Sequence, residues 1–207
     1  MKISIFGTGY VGLVTGVCFA DLGNDVICVD IDPKKLDSLA KGMVPFYEPG
    51  LAELLQRSIR QGRIAFTEDA KRATEHADVI FICVGTPQME NGQANLAFID
   101  AVAKTIAQNL KKYVIIADKS TVPVGTADRV RRIIASEVKC GFDVVSCPEF
   151  LREGAAVKDF QNPDRIVIGM DDDRPKKTLT DLFSPLTRTS RPLLFMDVKS
   201  AELAKYA

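Results

Sequence analysis

Short apolar runs alternate with longer amphipathic stretches along most of this chain. Runs rich in β-branched residues, such as Val79–Val84, are typical of strands buried on both faces. We predict strands at Lys2–Phe6, Asp25–Asp30, Arg63–Phe66, Val79–Val84, Tyr113–Ala117, Asp143–Ser146 and Arg165–Gly169, and helices at Tyr10–Leu22, Pro33–Lys41, Leu51–Gln61, Leu96–Lys111 and Thr126–Val138. Because helical patterns separate the buried strands, the sequence predicts an α/β fold with a doubly wound, mostly parallel sheet and helices on both faces.

The last residues of the chain also have a helical pattern. Ser200 is a residue type that favours helix N-caps, and residues 201–207 continue the pattern without a glycine or proline stop signal. Because two turns of helix are not stable alone, we expect the chain to end inside a helix, as a fragment of a longer protein would.

Composition and charge restrict the class of protein. The 207 residues are 46% hydrophobic and 26% charged, which is typical of a globular chain. Lys and Arg total 27 and so do Asp and Glu, so the net charge is zero and neither nucleic acid nor a membrane surface is an expected partner. The five cysteines form no CxxC pair, so we predict reduced thiols, a cytoplasmic location and no metal site.

A glycine-rich turn directly follows the first predicted strand. Gly7, Gly9 and Gly12 have the GxGxxG spacing between a strand and a helix, which is the dinucleotide-binding context of a Rossmann-like fold. Gly7 permits the tight turn, Gly9 lets the backbone approach a pyrophosphate, and Gly12 lets the helix pack closely. The amino end of the helix attracts phosphate, so we predict a dinucleotide cofactor here.

An acidic residue ends the second predicted strand. Asp30 lies eighteen positions after Gly12, close to the spacing of about 20 that is usual for an acid binding the adenosine ribose. A carboxylate there accepts hydrogen bonds from both ribose hydroxyls and repels a 2′-phosphate, so NAD is favoured over NADP. Lys35, on the next helix, either reaches the same ribose or is an ordinary solvated lysine.

Three further loops follow strands at the same edge of the predicted sheet. They are Gly85–Pro87 after the fourth strand, Lys119–Pro123 after the fifth and Cys147–Gly154 after the sixth. Each loop places a hydroxyl or a carboxylate beside a proline. Because ligands bind at the carboxyl ends of such strands, we expect these loops to form one site with the glycine turn.

Few residues near this edge can carry a proton. His76, the single histidine, lies between a predicted helix and strand and is expected to be a solvated surface residue. The other candidates are Glu149, Glu153 and a water held by Thr121. Lys205 either supplies positive charge to an oxyanion, acts as a desolvated amine, or is an ordinary helix-surface lysine.

Seven stretches of the chain together resemble the UDP-glucose/GDP-mannose dehydrogenase family. They span the chain in family order and are Phe6–Gly12, Tyr47–Leu51, Val84–Pro87, Ser120–Thr126, Pro148–Gly154, Asn162–Arg165 and Ser200–Ala207. The sequences Tyr-Glu-Pro-Gly and Pro-Glu-Phe-Leu-Arg-Glu are far more specific than a dinucleotide fingerprint alone.

The resemblance implies an NAD-dependent oxidation of the sugar C6 alcohol of a nucleotide sugar, with two hydride transfers and a cysteine thioester. By position, it implies cofactor contacts at Gly7, Gly9, Tyr10, Val11, Gly12, Asp30, Lys35, Thr86, Thr121 and Glu153. It implies substrate contacts at Glu149, Phe150, Leu151, Arg152, Glu153 and Lys205. Thr121 would orient a water acting as base, Glu149 and Glu153 would assist proton transfer and hydrolysis, and Lys205 would stabilise oxyanions.

The chain departs from the family in its cysteines. The family's Gly-Gly-Ser-Cys context surrounds none of the five, which are Cys18, Cys28, Cys83, Cys140 and Cys147. The first three are expected to be core residues, two of them within strands, and Cys147 alone lies near the site. The C-terminal UDP-sugar domain is also missing. We therefore expect an NAD-binding domain at residues 1–196, the start of a central helix at 197–207, and NAD binding without turnover of UDP-glucose.

UDP-glucose is the predicted substrate of the full-length protein, because Arg191–Val198 looks more like the UDP-glucose branch of the family. GDP-mannose or an N-acetylated UDP-sugar is an alternative within the family. A non-catalytic NAD-binding module is an alternative of a different class. A pure binding module would not need the residues that this chain retains, which are Thr121, Glu149, Glu153 and Lys205. The resemblance also implies that the full-length protein is a homodimer through the central helix.

Overall fold

The computed structural model describes residues 1–187 and 192–206. Within these ranges eight strands form a single sheet. The strands are β1 (Lys2–Phe6), β2 (Asp25–Val29), β3 (Ile64–Thr67), β4 (Val79–Ile82), β5 (Val114–Asp118), β6 (Phe142–Ser146), β7 (Ile166–Gly169) and β8 (Leu193–Met196). Their order across the sheet is β3-β2-β1-β4-β5-β6-β7-β8.

Six of the strands are parallel, and β7 joins them antiparallel to β6 through the pair Ser146 and Gly169. Strand β8 is parallel to β7 and therefore also runs against the first six. From β1 the chain moves outward to β2 and β3, and then returns to β4 on the other side of β1. This reversal opens a crevice at the carboxyl ends of β1 and β4, which is where such sheets bind ligands.

Helices cover both faces of the sheet in the described ranges. They are α1 (Tyr10–Asp21), α2 (Pro33–Ala40), α3 (Leu51–Arg60), α4 (Ala70–His76), α5 (Ala97–Asn109), α6 (Thr126–Ala135), α7 (Ala156–Gln161), α8 (Lys176–Thr187) and α9 (Val198–Ala204). On one face Phe19 of α1 packs against Phe81, Phe160 and Phe183. A second apolar cluster joins β4 and β5 to α5 and α6 on the other face. None of the described helices has the length and apolar character required to cross a bilayer.

The predicted fold class is confirmed, and the predicted strands and helices lie within a few residues of the observed ones. Four elements were not predicted: α4, α7, α8 and β8. The prediction that Ser200 caps the last helix is wrong, because Asp197 is the N-cap and its Oδ1 accepts from the Ser200 N–H at 2.9 Å. That helix ends at Ala204. Ala207, and Arg191 of the stretch that indicated the UDP-glucose branch, lie outside the described residues.

Candidate functional site

The glycine turn joins β1 to α1 in a conformation that only small residues can adopt. Gly7 has φ +100°, and a Cβ on Gly12 would lie 2.0 Å from the Gly7 carbonyl oxygen. A Cβ on Gly9 would meet no atom within 4 Å. Gly9 is also the N-cap of α1, where no side chain caps the helix. The open space and the free amino end of α1 therefore fit the pyrophosphate of a dinucleotide.

Asp30 follows β2 at the same edge and is surrounded by hydrogen-bond donors. Its Oδ2 accepts from the Thr8 N–H at 2.9 Å, the Thr8 hydroxyl at 2.5 Å and Lys35 Nζ at 2.8 Å. Its Oδ1 accepts from the Ile31 and Asp32 N–H groups. Burial alone would raise the pKa of Asp30, but Lys35 and Thr8 outweigh it and lower this pKa to about 2. The structure thus brings Asp30 and Lys35 together as an ionised pair.

The loops after β4 and β5 are joined by a hydrogen bond between two of the predicted site residues. The Thr86 hydroxyl donates to the Thr121 carbonyl oxygen at 2.6 Å. Thr121 itself is exposed, so its hydroxyl can reach a water or a ligand. The proximity of the two threonines follows from the pairing of β4 with β5, which places their carboxyl ends side by side.

Lys205 and Glu149, 56 positions apart, form an ion pair at this edge. Lys205 Nζ lies 2.6 Å from Glu149 Oε1 and 2.7 Å from the Glu149 carbonyl oxygen. The other carboxylate oxygen accepts from the Leu151 N–H at 2.6 Å. Glu149 is buried, and the Phe150 ring lies 5.8 Å from Lys205 Nζ. Lys205 is therefore not an ordinary surface lysine: its charge is held beside a buried carboxylate.

The loop Cys147–Gly154, called the acidic loop below because it contains Glu149 and Glu153, has further residues that differ in their contacts. The Arg152 guanidinium pairs with Asp159 of α7, at 2.7 Å between Nη2 and Oδ1. Glu153 is exposed and makes no hydrogen bond within the described part of the chain. Val11 and Leu151 pack against the core. The predicted substrate role of Arg152 therefore falls on a side chain that is already paired.

The cysteines and the histidine offer no reactive group at this edge. Cys147 follows β6 and is 2% exposed, and burial raises the pKa of its thiol. Cys83 lies one residue beyond β4, not within the strand as predicted, and is also buried. His76 ends α4 at the opposite edge of the sheet, where its Nε2 lies 3.2 Å from the Asp25 carbonyl oxygen. Its side chain is 14% exposed, so His76 lies at the surface but is partly buried rather than fully solvated as predicted.

Glu202 is a site residue that the sequence reasoning missed. It is 2% exposed, and its carboxylate accepts from the Gly125 N–H at 2.6 Å and the Ala127 N–H at 2.7 Å. These groups begin α6, directly after the Thr121 loop. Glu202 therefore holds α9, whose carboxyl end is directly followed by Lys205, against that loop. The sequence contained an indication that Glu202 is buried, because it lies on the same helical face as the apolar Val198 and Ala201.

Replacing Glu202 by Gln is expected to lower the free energy of unfolding by about 2 kcal/mol, because an amide nitrogen cannot accept from a buried backbone N–H. Urea denaturation at pH 7 measures the change. Glu137→Gln, at an exposed position just beyond α6, is the matched control. Equal stability of the two variants would show that the Glu202 contacts contribute nothing.

Comparison with known proteins agrees with this arrangement. The model of the UDP-glucose/GDP-mannose dehydrogenase family, NAD binding domain, matches residues 1–187. A UDP-glucose 6-dehydrogenase of Rhizobium meliloti (strain 1021) is 50% identical over 211 residues, covering 100% of this chain and 48% of that protein.

Two solved structures are also similar. A UDP-glucose dehydrogenase from Pyrobaculum islandicum has a TM-score of 0.95 at 41% identity. A GDP-mannose dehydrogenase from Pseudomonas aeruginosa has a TM-score of 0.93 at 38% identity. Both comparisons cover 100% of this chain and 48% of the other, so the chain spans about half the length of these relatives. The chain therefore belongs to the UDP-glucose/GDP-mannose dehydrogenase family, and its residues 1–187 match the NAD-binding domain of that family.

Proposed function

We propose that NAD binds along the carboxyl edge of the sheet, from Asp30 across the glycine turn to Thr121, and that this edge is part of a nucleotide-sugar oxidation site. One observation carries the proposal: the Lys205–Glu149 ion pair and the dinucleotide-binding turn lie at the same edge of one sheet. NAD supplies the hydride acceptor when it is bound. The relatives are about twice as long, so the complete reaction is proposed for a protein of that length.

At the adenosine end, Asp30 is the proposed ribose acceptor. Its carboxylate has about four lone-pair positions, and five donors already surround it. A ribose hydroxyl must therefore displace a donor. Lys35 is the one best able to move, since its side chain is 30% exposed and has no fixed backbone geometry. After moving it can donate to the ribose oxygen while remaining near the carboxylate.

At the substrate end, we propose that UDP-glucose is oxidised at C6. Conversion of the alcohol and one water to a carboxylic acid releases two hydrides, which two bound NAD in turn would accept, and two protons. Thr121 holds the water that takes the hydroxyl proton, while the Lys205 ammonium stabilises the oxyanions that develop beside Glu149. Glu149 and Glu153 assist proton transfer and hydrolysis. A cysteine outside this chain carries the thioester.

GDP-mannose is the second candidate substrate. The similarity to the Pseudomonas aeruginosa GDP-mannose dehydrogenase supports it, because the TM-score of 0.93 is close to that of the UDP-glucose dehydrogenase. We favour UDP-glucose, since the Rhizobium meliloti relative has the higher identity. The domain boundary after residue 196, the homodimer through the central helix and the cytoplasmic location stay predictions.

The cofactor assignment is tested by binding NAD and NADP to this chain. The Asp30 charge should make NAD bind at least about tenfold more tightly than NADP, and Asp30→Asn should weaken NAD binding about tenfold and reduce this preference. The pKa of about 2 keeps Asp30 ionised, so it gives NAD affinity no pH dependence between pH 5 and 8. Isothermal titration measures each affinity.

Asp37→Asn is the control for the Asp30 variant, because Asp37 is an exposed carboxylate on the same helix as Lys35. Equal affinities for NAD and NADP in the unmodified chain, or the same affinity for NAD in both variants, would contradict the assignment of Asp30.

A further inference from the structure

A buried carboxylate that the proposed reaction does not use lies behind the acidic loop. Glu48, from the Tyr-Glu-Pro-Gly sequence before α3, is 4% exposed. Its Oε2 accepts from the Tyr10 hydroxyl and from the Gly154 N–H at 2.8 Å. Its Oε1 lies 3.4 Å from the Val157 N–H. A buried charge is costly unless donors satisfy it. Two of these donors, Tyr10 and Gly154, directly follow Gly9 of the glycine turn and Glu153.

Tyr10 is the central partner of Glu48. Burial, together with the hydrogen bond to Glu48, raises the pKa of Tyr10 to about 12, so its hydroxyl keeps its proton and donates to Glu48. The same oxygen accepts from the Gly154 N–H at 3.2 Å. The Tyr10 ring packs against Phe46, with the centroids 4.9 Å apart. The hydroxyl is therefore fixed between the loop before α3 and the acidic loop.

Tyr10 and Gly154, which Glu48 joins, are each adjacent in sequence to a residue of the proposed cofactor site. Tyr10 directly follows Gly9 at the amino end of α1, and Gly154 directly follows Glu153. Glu153 is exposed, and Arg152 is held by Asp159. Gly154 has φ +82°, a left-handed backbone conformation that favours glycine, and glycine has no side chain that could hold the turn in place. The Glu48 and Tyr10 oxygens hold this turn against the glycine turn.

We propose that Glu48 is a positioning residue, which through Tyr10 and the Gly154 N–H fixes the turn bearing Glu153 relative to the cofactor-binding glycine turn. This inference rests on the proposed function, because it gives the position of Glu153 a role in NAD binding. It accounts for the Tyr-Glu-Pro-Gly sequence, to which the proposed reaction assigns no role.

The test measures local hydrogen exchange and cofactor binding separately in the 207-residue chain. Glu48→Gln keeps the size of the side chain but removes the charge and one acceptor oxygen. Tyr10→Phe removes only the hydroxyl, and it provides the same exchange measurement if the Glu48 variant does not fold. Glu53→Gln, at an exposed position on α3, is the control. Exchange at single amides is followed by NMR without cofactor, and NADH affinity is measured by fluorescence titration.

We expect exchange of the Gly154 amide to accelerate at least about tenfold in both variants, while amides of β1 and β4 keep their protection. NADH affinity should fall about tenfold in Glu48→Gln and stay unchanged in Glu53→Gln. Unchanged exchange at Gly154 would overturn the proposal. So would a uniform acceleration of all amides with unchanged NADH affinity, since that is the result of a merely structural role. Failure of the unmodified chain to bind NADH would instead overturn the proposed function, because the exchange measurement needs no cofactor.

Discussion

Gly12→Ala is expected to lower the free energy of unfolding by about 3 kcal/mol, whereas Gly9→Ala should lower it by less than about 1 kcal/mol. A methyl group on Gly12 would lie 2.0 Å from a backbone oxygen of Gly7, which cannot move without opening the turn. Gly9 has φ −68° and ψ −170°, which alanine adopts freely, and its Cβ would meet nothing within 4 Å. Urea denaturation followed by circular dichroism compares the two variants.

The same pair of variants separates stability from cofactor binding. The space beside Gly9 is where the proposed pyrophosphate approaches the backbone, so Gly9→Ala should fold normally and bind NADH at least about tenfold more weakly. Equal stability of Gly12→Ala and Gly9→Ala would show that the turn relaxes around the added methyl group. Unchanged NADH affinity in Gly9→Ala would place the cofactor elsewhere.

Asp118→Asn is expected to remove a large pH dependence of stability. Asp118 ends β5 and is 2% exposed; its Oδ1 accepts from the Ser120 N–H, and its Oδ2 has no hydrogen-bond partner among the described residues. Burial, with a smaller contribution from the Glu202 charge, raises the pKa of Asp118 to about 7. An aspartate in an unfolded chain has a pKa of about 3.9.

The direction of the effect follows from proton binding. Between about pH 4 and pH 7 the folded chain binds a proton at Asp118 that the unfolded chain has lost, so this group makes stability decrease as the pH rises. From pH 5 to pH 8 the decrease is about 3 kcal/mol, from roughly two pKa units at 1.36 kcal/mol each. Above pH 7 the group is ionised in both states, and its contribution is constant.

Urea denaturation at pH 5, 6, 7 and 8 tests this expectation, because titrations common to both proteins cancel in the difference. The difference in stability between Asp118→Asn and the unmodified chain should grow by about 3 kcal/mol in favour of the variant between pH 5 and pH 8. Asp37→Asn, at an exposed position, should show no such growth. A constant difference for Asp118→Asn would mean that the carboxyl group is ionised throughout this range.

Local sequence determined the fold class and the main elements. Apolar β-branched runs predict β1, β2, β4 and β5, and the glycine spacing predicts the turn into α1, because these signals depend only on neighbouring residues. Helices α4 and α7 were missed, since seven and six residues are too few for a clear helical period. The start of α9 was misplaced because Asp197 and Ser200 are both good N-cap residues. The structure decides between them: Asp197 Oδ1 accepts from the Ser200 N–H, and the first turn packs closely on β7, where a Cβ on Gly169 would lie 2.8 Å from the Val198 Cα.

The amino-acid sequence also shows which chemical groups follow the strands, including Asp30, Thr121 and Glu149. The partners of these groups depend on the folded chain. Lys205 meets Glu149 across 56 positions, Glu202 meets Gly125 across 77, and Glu48 meets Gly154 across 106. Contacts this distant leave no periodic pattern in the chain. They form when strand order and helix packing bring separate loops to one edge, where burial makes each carboxylate depend on the donors it finds there.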